Sequence, residues 1–509
     1  MPNENAGFTL QGSAQFMPPE ETARHRLLDD GRPGLLFGRS KAGLLKYCGD
    51  GNTLVVAPPG AGKGVGFVIP NLLTYPGSMV VIDPKGENAA LTAQHRREVM
   101  KQNVFILDPA GVLDVASDAY NPFAWLHESE PDRFDADVRN MAEALVPGDG
   151  MESFWARGGR MAAAGLIYYL ASQKDADFSL TGLYDLAFLG DTAWLNLWRE
   201  MRVISSGSPD LARRVVEMGN WFEGLEEKHQ LYHRGTLQDG LQWLISNGAR
   251  RVVASSSFEL RRIKDEPMTV YLCIPPLELS TYKPLARLVV THALQAVMAR
   301  LARPGETPVV FMLDEFANSV GQMEVFDQAY SQVRGYGGRI AVVLQTIGQL
   351  RDLYPEGKGR SVSWQTIEET SGAAVYFKAR GETAKHVSER LGLTTKLEGG
   401  PGGARQVQRP LKFPNEVSSP DGAYGQESVF ALIEGLDPLW VRTLKSYQDT
   451  EFKSKYNPND FKPRTRGNNK SWRQEALENP PVQSAGAASR RVTVDPSAVK
   501  DLLTDIGWT

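Results

Sequence analysis

Thr53-Leu-Val-Val56 runs directly into Ala57-Pro-Pro59-Gly60-Ala61-Gly62-Lys63-Gly64, and that into Val65-Gly-Phe-Val-Ile-Pro-Asn-Leu-Leu73. The first segment reads as a short buried strand, the second as a glycine loop and the third as an apolar helix. Glycines let successive backbone N–H groups curl round a polyphosphate, and the following helix offers its positive end. Lys63 adds a mobile cation for the outer phosphates. Pro59, Gly60, Ala61, Gly62, Lys63, Gly64 and Val65 are therefore the expected nucleotide-binding residues. The motif departs from GxxxxGK[ST] twice: Ala57 stands for the first glycine, and Gly64 for the hydroxyl residue that normally ligates Mg²⁺. Taken alone, the stretch also reads as a tight glycine turn between strand and helix.

A second stretch supplies what the loop lacks. Val309-Val-Phe-Met-Leu313 is an apolar strand that ends in Asp314-Glu315. Asp314 is expected to hold Mg²⁺, directly or through water, and Glu315 to act as general base on the attacking water. Gln345 ends the next strand, residues 340–344. There it can sense a γ-phosphate or orient water, or simply be a polar strand end. Arg334 lies in Val-Arg-Gly-Tyr-Gly-Gly just before that strand. It is a candidate arginine finger acting on a neighbouring subunit, or a surface arginine before a turn. Asp83-Pro-Lys85-Gly-Glu87 occupies another strand tip, where Lys85 can touch nucleotide or a neighbouring subunit, or form a structural ion pair.

Further apolar runs at 78–82, 104–107, 269–274, 374–377 and 429–433 alternate with helical stretches, predicting an α/β fold with a mainly parallel sheet covered on both faces. Between them, Phe134, Val138, Met141 and Leu145 share one helical face, as do Leu211, Val215, Met218 and Phe222, with Ser153 a candidate helix cap. The organisation expected is a loop-rich N-terminal lead-in over 1–50 and a nucleotide-binding domain split into 51–124 and 267–456. An inserted all-α domain fills 125–266. A flexible, mostly disordered C-terminal tail follows over 457–509, with a short helix near 498–506.

Bulk properties bound the rest. The 509 residues are 42% hydrophobic and 23% charged, enough to bury a large core, and the net charge of -4 places any nucleic-acid contact in a local patch or channel lining. Cys48 and Cys273 are the only cysteines, which fits a reducing compartment and argues against a disulfide scaffold or zinc site. No signal peptide is legible, and the best membrane candidate, 284–302, is broken by Arg287, His292 and Arg300. The expectation is a chain with no transmembrane helix of its own. From Lys453 to Arg473 seven basic residues face Asp460 alone, a solvated run or a contact for DNA or acidic lipid.

These motifs, in this order, resemble those of the TraG/VirD-type coupling proteins of type IV secretion and conjugation systems. The resemblance is carried by Gln11-Gly-Ser-Ala14, Gly62-Lys-Gly-Val-Gly66 with Val68-Ile-Pro70, Asp83-Pro-Lys-Gly-Glu87 and Asn121-Pro-Phe123. It continues through Ser153-Phe-Trp155, Leu313-Asp-Glu-Phe316, Arg334-Gly-Tyr-Gly337, Gln345 and Gly435-Leu-Asp-Pro438, covering about residues 10 to 455. Gly after the loop lysine is itself common in that family. The resemblance implies a RecA-like P-loop NTPase core, a ring-shaped homo-hexamer and ATP hydrolysis with Mg²⁺ at subunit interfaces. It gives Arg334 the place of the finger and Gln345 that of the sensor. It implies as partners a relaxase with its single-stranded DNA, protein effectors and the secretion channel, at the cytoplasmic face of the inner membrane. Family members usually carry N-terminal membrane helices, and none is legible here. A helicase, a channel-assembly ATPase and a non-hydrolysing docking platform remain the alternatives.

Overall fold

The computed structural model describes residues 12–146, 154–205, 208–356, 362–400, 403–420 and 424–456. Ser153 and the tail over 457–509 lie outside these residues.

Thirteen strands occur among the described residues: β1 (Leu35–Ser40), β2 (Gly43–Tyr47), β3 (Asn52–Val56), β4 (Met79–Asp83), β5 (Asn103–Leu107), β6 (Met268–Cys273), β7 (Val309–Leu313), β8 (Gly338–Leu344), β9 (Ser371–Phe377), β10 (Leu393–Gly400), β11 (Gly403–Pro410), β12 (Ser428–Ile433) and β13 (Leu439–Arg442). Eleven form one sheet in the order β2-β1-β13-β12-β9-β3-β8-β7-β4-β6-β5, and β10 and β11 form a separate hairpin. From β9 to β5 every neighbouring pair is parallel, while β12, β13, β1 and β2 extend the sheet antiparallel. This is the RecA-like P-loop fold.

The near-continuous apolar strands follow from this topology, because side chains at successive positions enter different cores. Leu54, Val56, Phe311, Leu313, Val342 and Leu344 enter one core, and Val55, Ala57, Val310, Met312, Ala341 and Val343 enter the other. Between β5 and β6 the described residues form helices and no strand, among them Pro131–Leu145 and Phe154–Ser172. Val138, Met141, Leu166, Trp198 and Phe222 from this segment share the core of Leu54 and Phe311, so its packing is continuous with one face of the sheet.

Residues 1–50 are not all loop. Leu35-Leu-Phe and Leu44-Leu-Lys-Tyr47 pair as a hairpin turning at Lys41-Ala42, with Gly43 opening β2 at φ 142°, and β1 joins the sheet through β13. The prolines and glycines around this hairpin mask its apolar residues in the sequence. The β10–β11 hairpin is masked in the same way by the glycines at its tip.

Register aligns the tips of the central strands. Val56 pairs with Leu344, Val342 with Leu313, and Leu313 with Ile82. The residues that follow β3, β8, β7 and β4 therefore emerge along one edge of the sheet, where ligands of open parallel sheets bind.

Candidate nucleotide site

The loop after β3 begins inside the ladder, where Ala57 donates its N–H to the Leu344 carbonyl at 2.9 Å. The chain then turns through Ala61 N–H to Pro58 O at 3.0 Å, with Gly60 at φ 74° and Gly62 at φ 91°. L-residues are strained in that region, so both positions call for glycine. A Cβ added at Gly60 or Gly64 meets nothing within 4 Å, which leaves the side of the loop that faces a ligand open. At Gly66 an added Cβ would come within 2.7 Å of Thr443, so this glycine serves packing. A π-helical turn, Gly64–Val68, leads into helix Ile69–Thr74. Pro59 and Gly60 are exposed, and Lys63, Gly64 and Val65 are half-buried.

Lys63 Nζ donates to Asp314 Oδ1 at 2.6 Å and to Glu315 Oε1 at 2.5 Å. The loop and the acidic strand end thus meet, although β8 lies between their strands. Gln345, at the tip of β8, closes the gap: its Nε2 donates to Glu315 Oε2 at 2.9 Å. Lys63, Asp314, Glu315 and Gln345 form one connected group.

Glu315 sits at φ 53°, ψ 38°, a left-handed conformation that costs a non-glycine residue about 1–2 kcal/mol. Several bonds hold it there. Its N–H donates to Asp314 Oδ1 at 2.9 Å, and its carbonyl accepts the N–H groups of Asn318 and Ser319, both at 2.9 Å. The buried Ser319 hydroxyl reaches the carbonyls of Asp314 at 3.1 Å and Glu315 at 3.0 Å. The turn aims the Glu315 carboxylate at Lys63 rather than along the strand.

Electrostatics follow from burial. Burial pulls the Lys63 ammonium down, but the charges and hydrogen bonds of Asp314 and Glu315 outweigh it and leave the pKa above the usual lysine value. For Asp314 burial is the larger effect and raises the carboxyl above its usual range, with Lys63 opposing. Two carboxylates against one ammonium leave one unbalanced negative charge, which a divalent cation would offset. Asp314 supplies the hard oxygen ligand Mg²⁺ prefers, and Gly64 supplies none, so the remaining ligands would be phosphate oxygens and water.

Arg334 is not part of this group. It is exposed on the turn Val333–Tyr336, ahead of β8, whereas Gln345 follows β8. The strand separates them by roughly 20 Å at about 3.3 Å per residue. Lys85 and Glu87 are exposed beyond β4, and among the described residues Lys85 forms no ion pair. Asp83 beside them is 1% exposed and accepts from Ala89 N at 2.8 Å and Asn88 Nδ2 at 3.2 Å. Burial pushes its carboxyl up to about 7 against these bonds.

Three supporting residues escape a reading of the motifs: Ser319, Asp83 in its buried, capping role, and Gln349, whose Oε1 accepts the Gln345 N–H at 2.8 Å. Gln349 had a signal. Thr346-Ile-Gly-Gln349 fits the S/T-x-x-E/Q capping pattern, and Thr346 Oγ1 does accept Gln349 N–H at 3.3 Å.

Comparison with known proteins gives the family. A family model described as Type IV secretory system Conjugative DNA transfer matches residues 12–469. The chain is 28% identical over 415 residues to Protein VirD4 of Rhizobium rhizogenes, covering 78% of this chain and 59% of that protein. It is 27% identical over 412 residues to Conjugal transfer protein TraG of Escherichia coli, covering 73% of this chain and 62% of that protein. The chain thus spans about three-fifths of the length of these relatives. Plasmid coupling protein TrwB, solved in complex with ADP and Mg²⁺, shares the fold with a TM-score of 0.62 at 17% identity, over 86% of this chain and 94% of that one.

Proposed function

The chain belongs to the Type IV secretory system Conjugative DNA transfer family, and from that premise we propose that it is an ATP-driven coupling protein that delivers cargo to a type IV secretion channel. The observation that carries the reading is Lys63 held between Asp314 and Glu315 at the ligand-binding edge of a parallel sheet.

In this reading ATP lies on the loop Pro59–Gly64, and Lys63 exchanges its carboxylate partners for β- and γ-phosphate oxygens. That exchange releases Asp314 toward the metal and Glu315 toward water. Mg²⁺, when bound, neutralises charge on the phosphate oxygens. Glu315, fixed by its left-handed turn, takes the proton from the attacking water. Gln345 orients that water through its bond to Glu315, and its backbone bond to Gln349 passes the change to helix Ile347–Leu353. Arg334, remote from its own subunit's site, reaches the phosphates of a neighbour in a ring, which we propose is a hexamer. The 17% identical TrwB was also solved with the non-hydrolysable ATP analogue ADPNP, which supports a nucleotide as the ligand.

The cargo proposed is relaxase-bound single-stranded DNA, gripped through its phosphates without base readout, with protein effectors a further class. We further propose that the chain works at the cytoplasmic face of the membrane, against the channel proteins; among the described residues no helix is long and apolar enough to cross a membrane. The test is ATP turnover with and without single-stranded DNA, for the full chain and for Glu315→Gln. DNA-stimulated turnover lost in the variant supports the motor, and cargo binding without any turnover would replace it with a docking platform. Mixing Lys63→Ala with Arg334→Ala chains tests the trans role. Partial recovery of turnover supports it, and none counts against it.

A further inference from the structure

One buried charge takes no part in this chemistry. Arg287, in helix Lys283–Met298, is 2% exposed. Its Nη1 donates to the Gln322 carbonyl at 3.0 Å, and its Nη2 stands 3.8 Å from Glu143 Oε1. The same Glu143 oxygen accepts the Glu324 backbone N–H at 2.8 Å. Glu143 lies in helix Pro131–Leu145, in the helical segment between β5 and β6.

Gln322 and Glu324 bracket Met323 in the connection from helix Phe316–Ser319 to helix Glu324–Gln332. Glu315 is the residue that starts the first of these helices. The path between is packed into the core: Phe316 and Val320 are fully buried, and the rings of Phe316 and Phe326 lie 4.7 Å apart, with Gly321 turning the chain at φ 67°. Whatever holds residues 322–324 therefore constrains the turn that aims Glu315.

Burying a guanidinium is costly, and an apolar side chain of similar volume often serves stability as well or better. A methionine would fill this space, but it would not hold the Gln322 carbonyl and Glu143 together.

We infer that Arg287 and Glu143 are positioning residues for the hydrolytic centre, clamping residues 322–324 so that Glu315 faces Lys63 and Gln345, and tying that alignment to helix Pro131–Leu145. The inference rests on the ATPase reading of the site. A second tie between the same two helices, Gln295 Nε2 to Asp137 Oδ1 at 2.8 Å, does not touch residues 322–324 and serves as a control.

The experiment measures kcat and KM for ATP, and affinity for a fluorescent ADP analogue, in the full chain and in Arg287→Met, Glu143→Gln, the double variant and Asp137→Asn. Arg287→Met should lower kcat about tenfold with KM and ADP affinity within about twofold, since positioning acts on the transition state. Glu143→Gln should move kcat the same way. The double variant should be no worse than Arg287→Met, because the two residues act through one clamp. Asp137→Asn should keep the parental kcat. Parental kcat in Arg287→Met, or an equal loss in Asp137→Asn, would overturn the clamp. Should Arg287→Met fail to fold, Glu143→Gln decides by the same comparison. A parent chain that binds no nucleotide and shows no turnover would remove the ATPase reading and the clamp together, whereas an active parent with unaffected variants would remove the clamp alone.

Discussion

Gln345 Nε2 donates to Glu315 Oε2 at 2.9 Å, joining the tip of β8 to the second residue after β7. The bond leaves the amide next to the carboxylate that must meet water. Gln345→Ala should reduce kcat by about 10- to 100-fold, less than the roughly 100- to 10,000-fold that a general base itself contributes, and change KM little. Steady-state ATP hydrolysis measures this. A KM effect with unchanged kcat would instead place Gln345 in ground-state binding.

Gly64 occupies the position where a hydroxyl usually ligates the metal, and an added Cβ there meets nothing within 4 Å. Gly64→Ser should therefore fold as the parent does and lower the Mg²⁺ concentration that half-saturates ATP turnover by several-fold, on the order of what one added oxygen ligand provides. A magnesium titration at fixed ATP measures the shift. An unchanged or weaker magnesium dependence would mean that the metal does not sit beside this residue.

Asp83 gives a pH test. Its folded carboxyl titrates near 7, raised by burial from an ordinary value of 3.8. Between those values the folded chain keeps a proton that the unfolded chain has lost, so this group makes stability fall as pH rises through that window, with no further loss above it. Asp83→Asn removes the titration. Its urea midpoint relative to the parent, without nucleotide or magnesium, should be more favourable at about pH 8 than at about pH 5. A relative midpoint that is level, or moves the other way, would contradict the buried, protonated carboxyl.

Much of this was readable from the chain because the site is made of strand ends. A parallel strand buried on both faces is an apolar run, and the polar residue that stops it marks the sheet edge; Asp314 and Gln345 are legible that way, and Lys63 from the glycine loop that precedes it. The hairpin of β1 and β2 was not, since turn residues dominate composition around short strands. Ser319 was missed because its task, holding the left-handed turn at Glu315, depends on a backbone conformation that residue spacing does not encode. Arg287 reads in the sequence only as an interruption of an apolar stretch. Its partners Glu143 and Gln322 come from distant segments brought together by packing alone. Arg334 lies ahead of β8 in the sequence, and that order alone places it at the sheet edge opposite Gln345.

The account turns on Lys63 leaving Asp314 and Glu315 for a triphosphate. Its most direct test is calorimetric titration of ATP, with Mg²⁺, into the parent chain and into Lys63→Ala, with Glu315→Gln as the companion. The parent and Glu315→Gln should bind with similar affinity, and Lys63→Ala should bind at least about 30-fold more weakly, equivalent to about 2 kcal/mol. Parental affinity in Lys63→Ala would show that the lysine between the two acids is a structural ion pair and that nucleotide, if bound, sits elsewhere.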